Sequence, residues 1–219
     1  MLIASHISKS YTVGEKLVQA LDDVSVHVAP GEFVTVKGHS GCGKTTLLLA
    51  TGALLAPDAG TVEVDGQDPY QLPPDPRAAF RAGHIGFVFQ QFYLVGYLSV
   101  LDNVLTPSLA LPRPDARERA AELVDRFGLA HRAEHMPGQL STGERQRAAL
   151  ARAMFNEPKL ILADEPTGNL DGKNAGVVLS ALAEFAEAGG AVLLVTHDDK
   201  VAEYAHRTVY LEGGRLCED

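Results

Sequence analysis

The stretch EFVTVKGHSGCGKTTLLLAT, Glu32 to Thr51, decides the fold. Glu32 to Lys37 is a short apolar-rich run that predicts a buried strand, and Thr45 to Gly52 predicts the helix that follows it. Between them lies a glycine-rich loop ending in Lys-Thr, the order of a phosphate-binding loop. Gly38, Gly41 and Gly43 let the backbone wrap a diphosphate with its N–H groups turned inward, where a Cβ would obstruct close approach. The whole run Gly38, His39, Ser40, Gly41, Cys42, Gly43, Lys44, Thr45 and Thr46 is therefore assigned to nucleotide contact. The helix N-terminus favours the same anion, Lys44 can reach the β- and γ-phosphates, and the Thr45 hydroxyl is the expected Mg²⁺ ligand.

Two segments further along give the loop its chemical context. LILADEP, Leu160 to Pro166, is an apolar strand ending in a carboxylate pair, at the end of the strand where open parallel sheets present functional groups. Asp164 is expected behind the Mg²⁺, and Glu165 is placed to polarise the attacking water as general base. An acidic pair ending a strand is often only a solvated cap, and the phosphate loop is what favours the catalytic reading. Just upstream lies LSTGERQ, Leu140 to Gln146, an LSGGQ-like segment that makes sense mainly if it serves a second nucleotide on a second copy of the fold.

Composition removes other classes. The chain has 219 residues, enough for one domain with a subdomain, and its 19 Lys+Arg against 28 Asp+Glu give a net charge of -9. That balance, without a basic run, disfavours a nucleic-acid surface. Cys42 and Cys217 are far apart and suit a reducing compartment rather than a disulfide framework. No signal pattern opens the chain, and no uncharged apolar run approaches the ~20 residues a membrane span requires. A soluble, cytosolic chain without direct membrane insertion is expected. His39, His84, His131 and His135 show no metal-ligand spacing.

Leu2 to Ile7 and Leu17 to Val28 predict antiparallel strands, because Val24, Val26 and Val28 alternate with polar neighbours, and a further β-rich piece spans Gly60 to Asp65. Arg117 to Phe127 places Ala120, Leu123, Val124 and Phe127 on one helical face, so the region from Gln90 to Leu140 reads as a mostly helical insertion. Alternation then resumes: helix Gly143 to Phe155, strand Lys159 to Ala163, helix Asn174 to Ala188, strand Ala191 to Thr196, helix Asp199 to Ala205 and strand Thr208 to Glu212. The chain stops soon after that strand, so no appended regulatory domain is expected.

Taken together, these segments resemble the nucleotide-binding subunits of ATP-binding cassette (ABC) transporters over essentially the whole chain. The resemblance implies an α/β P-loop NTPase fold with a mixed core sheet, a small antiparallel β layer and a helical subdomain. One ABC domain would cover 1–219, with approximately 1–89 and 141–219 as a RecA-like core bearing the β layer and approximately 90–140 as the helical part. It implies that Tyr11 stacks on adenine, that Gln90 contacts Mg²⁺ and senses the membrane partner, and that Asp171 lies in a loop crossing a dimer interface. His197 would touch the γ-phosphate, and Ser141 and Gly143 would contact the γ-phosphate of ATP held by the other subunit. Tyr11 also fits a plain strand-edge aromatic, His197 alone would read as a surface or helix-cap residue, and the neighbouring Gln91 leaves the register open by one; Gln90 is chosen because it follows Phe87-Val88-Phe89 directly.

Within that family GFVFQQFYLV and LADEPTGNLD look most like the lipoprotein-release, macrolide or peptide efflux and cell-division ATPases. This implies a homodimer sandwiching two ATP with Mg²⁺, docked on integral membrane permease subunits at the inner face of the cell membrane. The alternative is a soluble ABC-type ATPase of DNA repair or chromosome organisation, which would need a long coiled coil between Lys44 and Asp164, where no sustained heptads occur. A translation-type factor would carry two cassettes, and a small kinase or GTPase would not explain LSTGERQ. One departure stands out: Thr142 and Glu144 occupy positions where the family usually has Gly and Gln. A β-branched Thr142 is expected to stiffen the turn and slow closure or turnover.

Overall fold

A computed structural model describes residues 1–217. The chain begins as a long hairpin, β1 (Leu2–Val13) and β2 (Lys16–Val28), turning at Gly14 with φ 63°. In β2, Val24, Val26 and Val28 are buried while Ser25 and His27 face out, the alternation of a strand with one wet face. β2 matches the expected Leu17 to Val28 to within a residue, whereas β1 runs six residues past the expected end at Ile7, because the hairpin tip buries neither face: Val13, Leu17 and Val18 are all exposed. The extension pairs Tyr11 with Val18.

β3 (Phe33–Lys37), the phosphate loop and α1 (Lys44–Thr51) follow as predicted, then β4 (Ala59–Val64), α2 (Pro74–His84) and β5 (Ile85–Phe89). Next come α3 (Val100–Leu105), α4 (Ala116–Arg126), α5 (Thr142–Ala153), β6 (Leu160–Asp164), α6 (Gly172–Glu187) and β7 (Ala191–Thr196). β8 (Arg207–Glu212) and β9 (Arg215–Cys217) close the described chain. Asp199–Glu203 forms a 3₁₀ turn rather than the α-helix expected over Asp199 to Ala205; Asp198 caps it by accepting from the Lys200 N–H, and so short a segment closes more readily with the tighter turn.

The strands form two sheets: a three-stranded antiparallel one ordered β2-β1-β4, and a six-stranded one ordered β5-β6-β7-β3-β8-β9. The larger sheet is parallel except for β9, which runs antiparallel to β8. It is covered on both faces, so its strands read as continuous apolar runs. Along β6 and β7, Ile161, Ala163, Val192 and Leu194 pack toward α3, α4, α5 and α6, whereas Leu160, Leu162, Leu193 and Val195 pack toward α1 and the small sheet. Each fully buried Leu or Val contributes about 1.5–3 kcal/mol. The parallel strands therefore form a rigid floor whose carboxyl ends carry the phosphate loop after Lys37, the acidic pair after Ala163 and His197 after Thr196. Among the described residues no helix is long and apolar enough to cross a membrane.

Candidate active site

The phosphate loop is held in a conformation that only glycine adopts easily. Gly41 and Gly43 have φ of 79° and 111°, and a Cβ on Gly43 would overlap the carbonyl of Ala20 in β2. Lys44, buried at the start of α1, donates from Nζ to the carbonyls of Gly38 at 2.6 Å and His39 at 3.0 Å, so its ammonium sits inside the loop's curl. The loop borders a cleft of about 710 Å³, a volume within the range of about 300–1,000 Å³ for small-molecule sites. Tyr11, Val18 and Ala20 of the hairpin line it together with Lys44, Thr45, Gln90, Asp164, Glu165 and His197.

Thr45 Oγ1 donates to Asp164 Oδ2 at 3.0 Å, joining α1 to the end of β6. Burial pushes the Asp164 carboxyl above the ordinary aspartate range and Glu165 adds to the push, while the Thr45 hydrogen bond and Lys44 oppose it. A half-buried carboxylate beside a threonine hydroxyl, with a glutamine lining the same cleft, is an oxygen-donor set that suits Mg²⁺.

Glu165 has φ 46°, a left-handed conformation costing about 1–3 kcal/mol in a non-glycine residue. It is held there by its N–H donating to the Val195 carbonyl at 2.9 Å and its own carbonyl accepting from Gly168 N–H at 3.1 Å. The twist turns its carboxylate toward the end of β7, where Thr196 Oγ1 donates to Oε2 at 2.9 Å and His197 Nδ1 lies 2.8 Å from Oε1. The Glu165 side chain is 13% exposed against 68% for His197, so an exposed imidazole lies against a largely buried carboxylate.

Gln90 lines the cleft and Gln91 does not. The chain after Gln90 is strained, since Phe92 and Tyr93 are successive left-handed residues with φ 58° and 45°. α5 restrains both: Arg152 donates to the carbonyls of Phe92 and Tyr93, and the Arg145 guanidinium sits 5.4 Å from the Phe92 ring centroid.

A second, smaller cavity of about 250 Å³ is lined by Ser141, Thr142, Gly143, Asp171 and Asn174, and it shares no lining residue with the first. Ser141 caps α5 by accepting from Glu144 N–H at 3.3 Å, and Glu144 Oε2 accepts from Ser141 N–H at 2.8 Å, a reciprocal capping box. Glu144 also pairs with Arg132 at 3.2 Å, which accounts for a carboxylate here. Thr142 Oγ1 accepts from Arg145 at 3.4 Å. Asp171 caps α6 by accepting from Asn174 N–H at 2.8 Å, and Asn174's backbone and side-chain hydrogen bonds hold its carboxyl below the usual range.

The structure thus gathers Tyr11, His39, Ser40, Gly41, Gly43, Lys44, Thr45, Thr46, Gln90, Asp164, Glu165 and His197 around one cleft, and Ser141, Gly143 and Asp171 around another. Gly38 and Cys42 line neither; the Cys42 side chain packs against the core beneath the loop. Sequence reading missed Val18 and Ala20, which lie on the expected second strand but carry no motif that places them at the cleft, and Asn174. It also missed Thr196, whose place immediately before His197 is the one local signal that it flanks the carboxylate.

A model of the family described as ABC transporter matches residues 21–168. The lipoprotein-releasing system ATP-binding protein LolD 1 of Rhodopirellula baltica is 45% identical over 219 residues, covering 99% of this chain and 96% of that protein. The macrolide export ATP-binding/permease protein MacB of Sodalis glossinidius is 43% identical over 215 residues, 97% of this chain, which spans only 33% of that longer protein. Among solved structures, the dimeric post-hydrolysis state of the ATP-binding cassette MJ0796 bound to ADP and Pi superposes with a TM-score of 0.93 at 38% identity, covering 100% of this chain and 97% of that one.

Proposed function

Because this chain belongs to the ABC transporter family, we propose that it is the ATP-binding and ATP-hydrolysing subunit of a transporter complex, closing as a homodimer around two ATP to drive integral membrane permease subunits. One observation carries the reading: the candidate residues divide between two cavities with no residue in common, so each cavity offers half of a site. Two copies arranged head to tail would bring the cleft of one against the Ser141–Gly143 segment of the other.

In the cleft, the amides of the loop from Gly38 to Thr46 and the Lys44 ammonium bind the phosphates, and Tyr11, with Val18 and Ala20, receives the adenine. Thr45 and Gln90 would hold Mg²⁺, with Asp164 behind Thr45. When bound, Mg²⁺ supplies charge neutralisation on the phosphoryl oxygens. Glu165, fixed by Thr196, takes a proton from the attacking water, and His197 passes between Glu165 and the γ-phosphate. Ser141 and the Gly143 amide at the start of α5, with Asp171, contact the γ-phosphate from the other copy. Residues 1–89 with 141–219 act as the core, and 90–140 as the helical part facing the permease. The complex sits at the cytoplasmic face of the membrane, and the permease selects the cargo.

The test joins two measurements on tagged chain purified from detergent extracts. ATP hydrolysis that disappears in Lys44→Ala, with integral membrane protein co-isolated in both cases, is the expected result. Co-isolated DNA with no membrane protein overturns the transporter reading.

A further inference from the structure

Asn174, the third residue of α6, stands between the two segments that line the smaller cavity. Its side-chain Nδ2 donates to Asp171 Oδ2 at 2.8 Å, and its Oδ1 accepts from Arg147 Nη1 of α5 at 2.7 Å. Arg147 is itself anchored, donating from Nε to the Phe127 carbonyl at 3.1 Å. With a carboxylate on one side and a guanidinium on the other, only one orientation of the amide satisfies both. The same amide fills the space beside Gly143: a Cβ there would overlap Asn174 Oδ1, Cγ and Nδ2.

A bond from Asn174 to Asp171 alone would be an ordinary helix cap. The bond to Arg147 and the fit against Gly143 carry the network onto a different helix, and that is what a cap does not require. The neutral amide answers a cation and an anion at once, so Asp171 keeps its charge without a direct ion pair to Arg147.

We propose that Asn174 is a positioning residue that locks the Asp171 loop to the first turn of α5, so that Ser141, Gly143 and Asp171 meet the second copy's nucleotide as one rigid body. This rests on the two-copy reading above. Without the brace, each segment must be ordered separately as the dimer closes, and the cost falls on dimerisation rather than on nucleotide binding in the cleft.

The test compares Asn174→Ala and the exchange Asp171→Asn/Asn174→Asp by hydrogen exchange on the nucleotide-free chain, and by light scattering with Mg-ATP in the Glu165→Gln background. Asn174→Ala is expected to raise deuterium uptake in both 140–146 and 168–174. It is also expected to weaken the ATP-driven dimer about tenfold, the effect of losing a hydrogen bond to a charged group, while a fluorescent ATP analogue binds the monomer with unchanged affinity. The exchange restores a donor at 171 and keeps an acceptor for Arg147 at 174, and is expected to return uptake in 140–146 to the parental level. Uptake altered only around 171–175, or altered in both segments with dimer affinity unchanged, overturns the proposal. If the Glu165→Gln parent stays monomeric, also with Thr142→Gly added, the two-copy reading falls, and the uptake of 140–146 alone decides whether the brace exists.

Discussion

His197 Nδ1 lies 2.8 Å from Glu165 Oε1, so the imidazole and the carboxylate that follow two adjacent parallel strands are in direct contact. With Thr196 on its other oxygen, the carboxylate is oriented by β7 although it is carried by β6. Glu165→Gln keeps the shape and removes the proposed base. Steady-state hydrolysis is expected to fall by about 10²–10⁴-fold, with ATP binding to the cleft retained. Equal losses of binding and turnover would show that Glu165 supports the fold of the cleft instead.

Glu144 provides a pH-dependent test. The Ser141 backbone N–H, then the Ser141 side chain and Arg132, hold its carboxyl below the ordinary glutamate range. A depressed folded value adds stability above the unfolded value, about 4.3, and that stability is lost as pH falls through the folded one. Glu144→Gln preserves the cap geometry without the charge, so it is expected to lower Tm by about 2 °C at pH 7. The difference from the parent should shrink below about pH 4 in paired thermal melts.

Thr142 lines the smaller cavity at the first position of α5. Thr142→Gly opens the approach to the Ser141–Gly143 amides and frees Arg145. Turnover with the permease present is expected to rise severalfold, while the chain loses up to about 1 kcal/mol of stability from glycine in a helix. Unchanged ATPase activity would mean that the hydroxyl and its branch leave closure untouched.

Cys42 reports on the loop. Its side chain is half-buried against the core, whereas Cys217 is exposed. Maleimide is expected to modify Cys217 first and Cys42 slowly, and bound ATP to slow Cys42 further, read by peptide mass spectrometry. Labelling of Cys42 at the same rate with and without nucleotide would separate the loop from the nucleotide.

The gathering of the site residues around one cleft was legible because its signals are local. The loop from Gly38 to Thr46, the Asp164-Glu165 pair and His197 each end a buried strand, and a strand end announces itself in apolar runs and glycines. α2 was not foreseen, since Pro74 and Pro76 suggest a loop although proline is compatible with a helix's first turn. α3 is only six residues long and owes its start to Ser99, which accepts from the Asp102 N–H. Nor does any local pattern announce the left-handed backbone at Glu165, Phe92 and Tyr93, because the surroundings impose it. The brace at Asn174 depends on two helices lying side by side: Arg147 is 27 residues away in sequence, and no local pattern announces the contact.

The most direct measurement is size-exclusion light scattering of the Glu165→Gln chain with and without Mg-ATP. The expected result is a monomer without nucleotide and a species of twice the mass with it, since on the proposed reading each copy holds half of each site. A chain that binds ATP yet stays monomeric at every concentration, also when Thr142→Gly is added, contradicts the shared site.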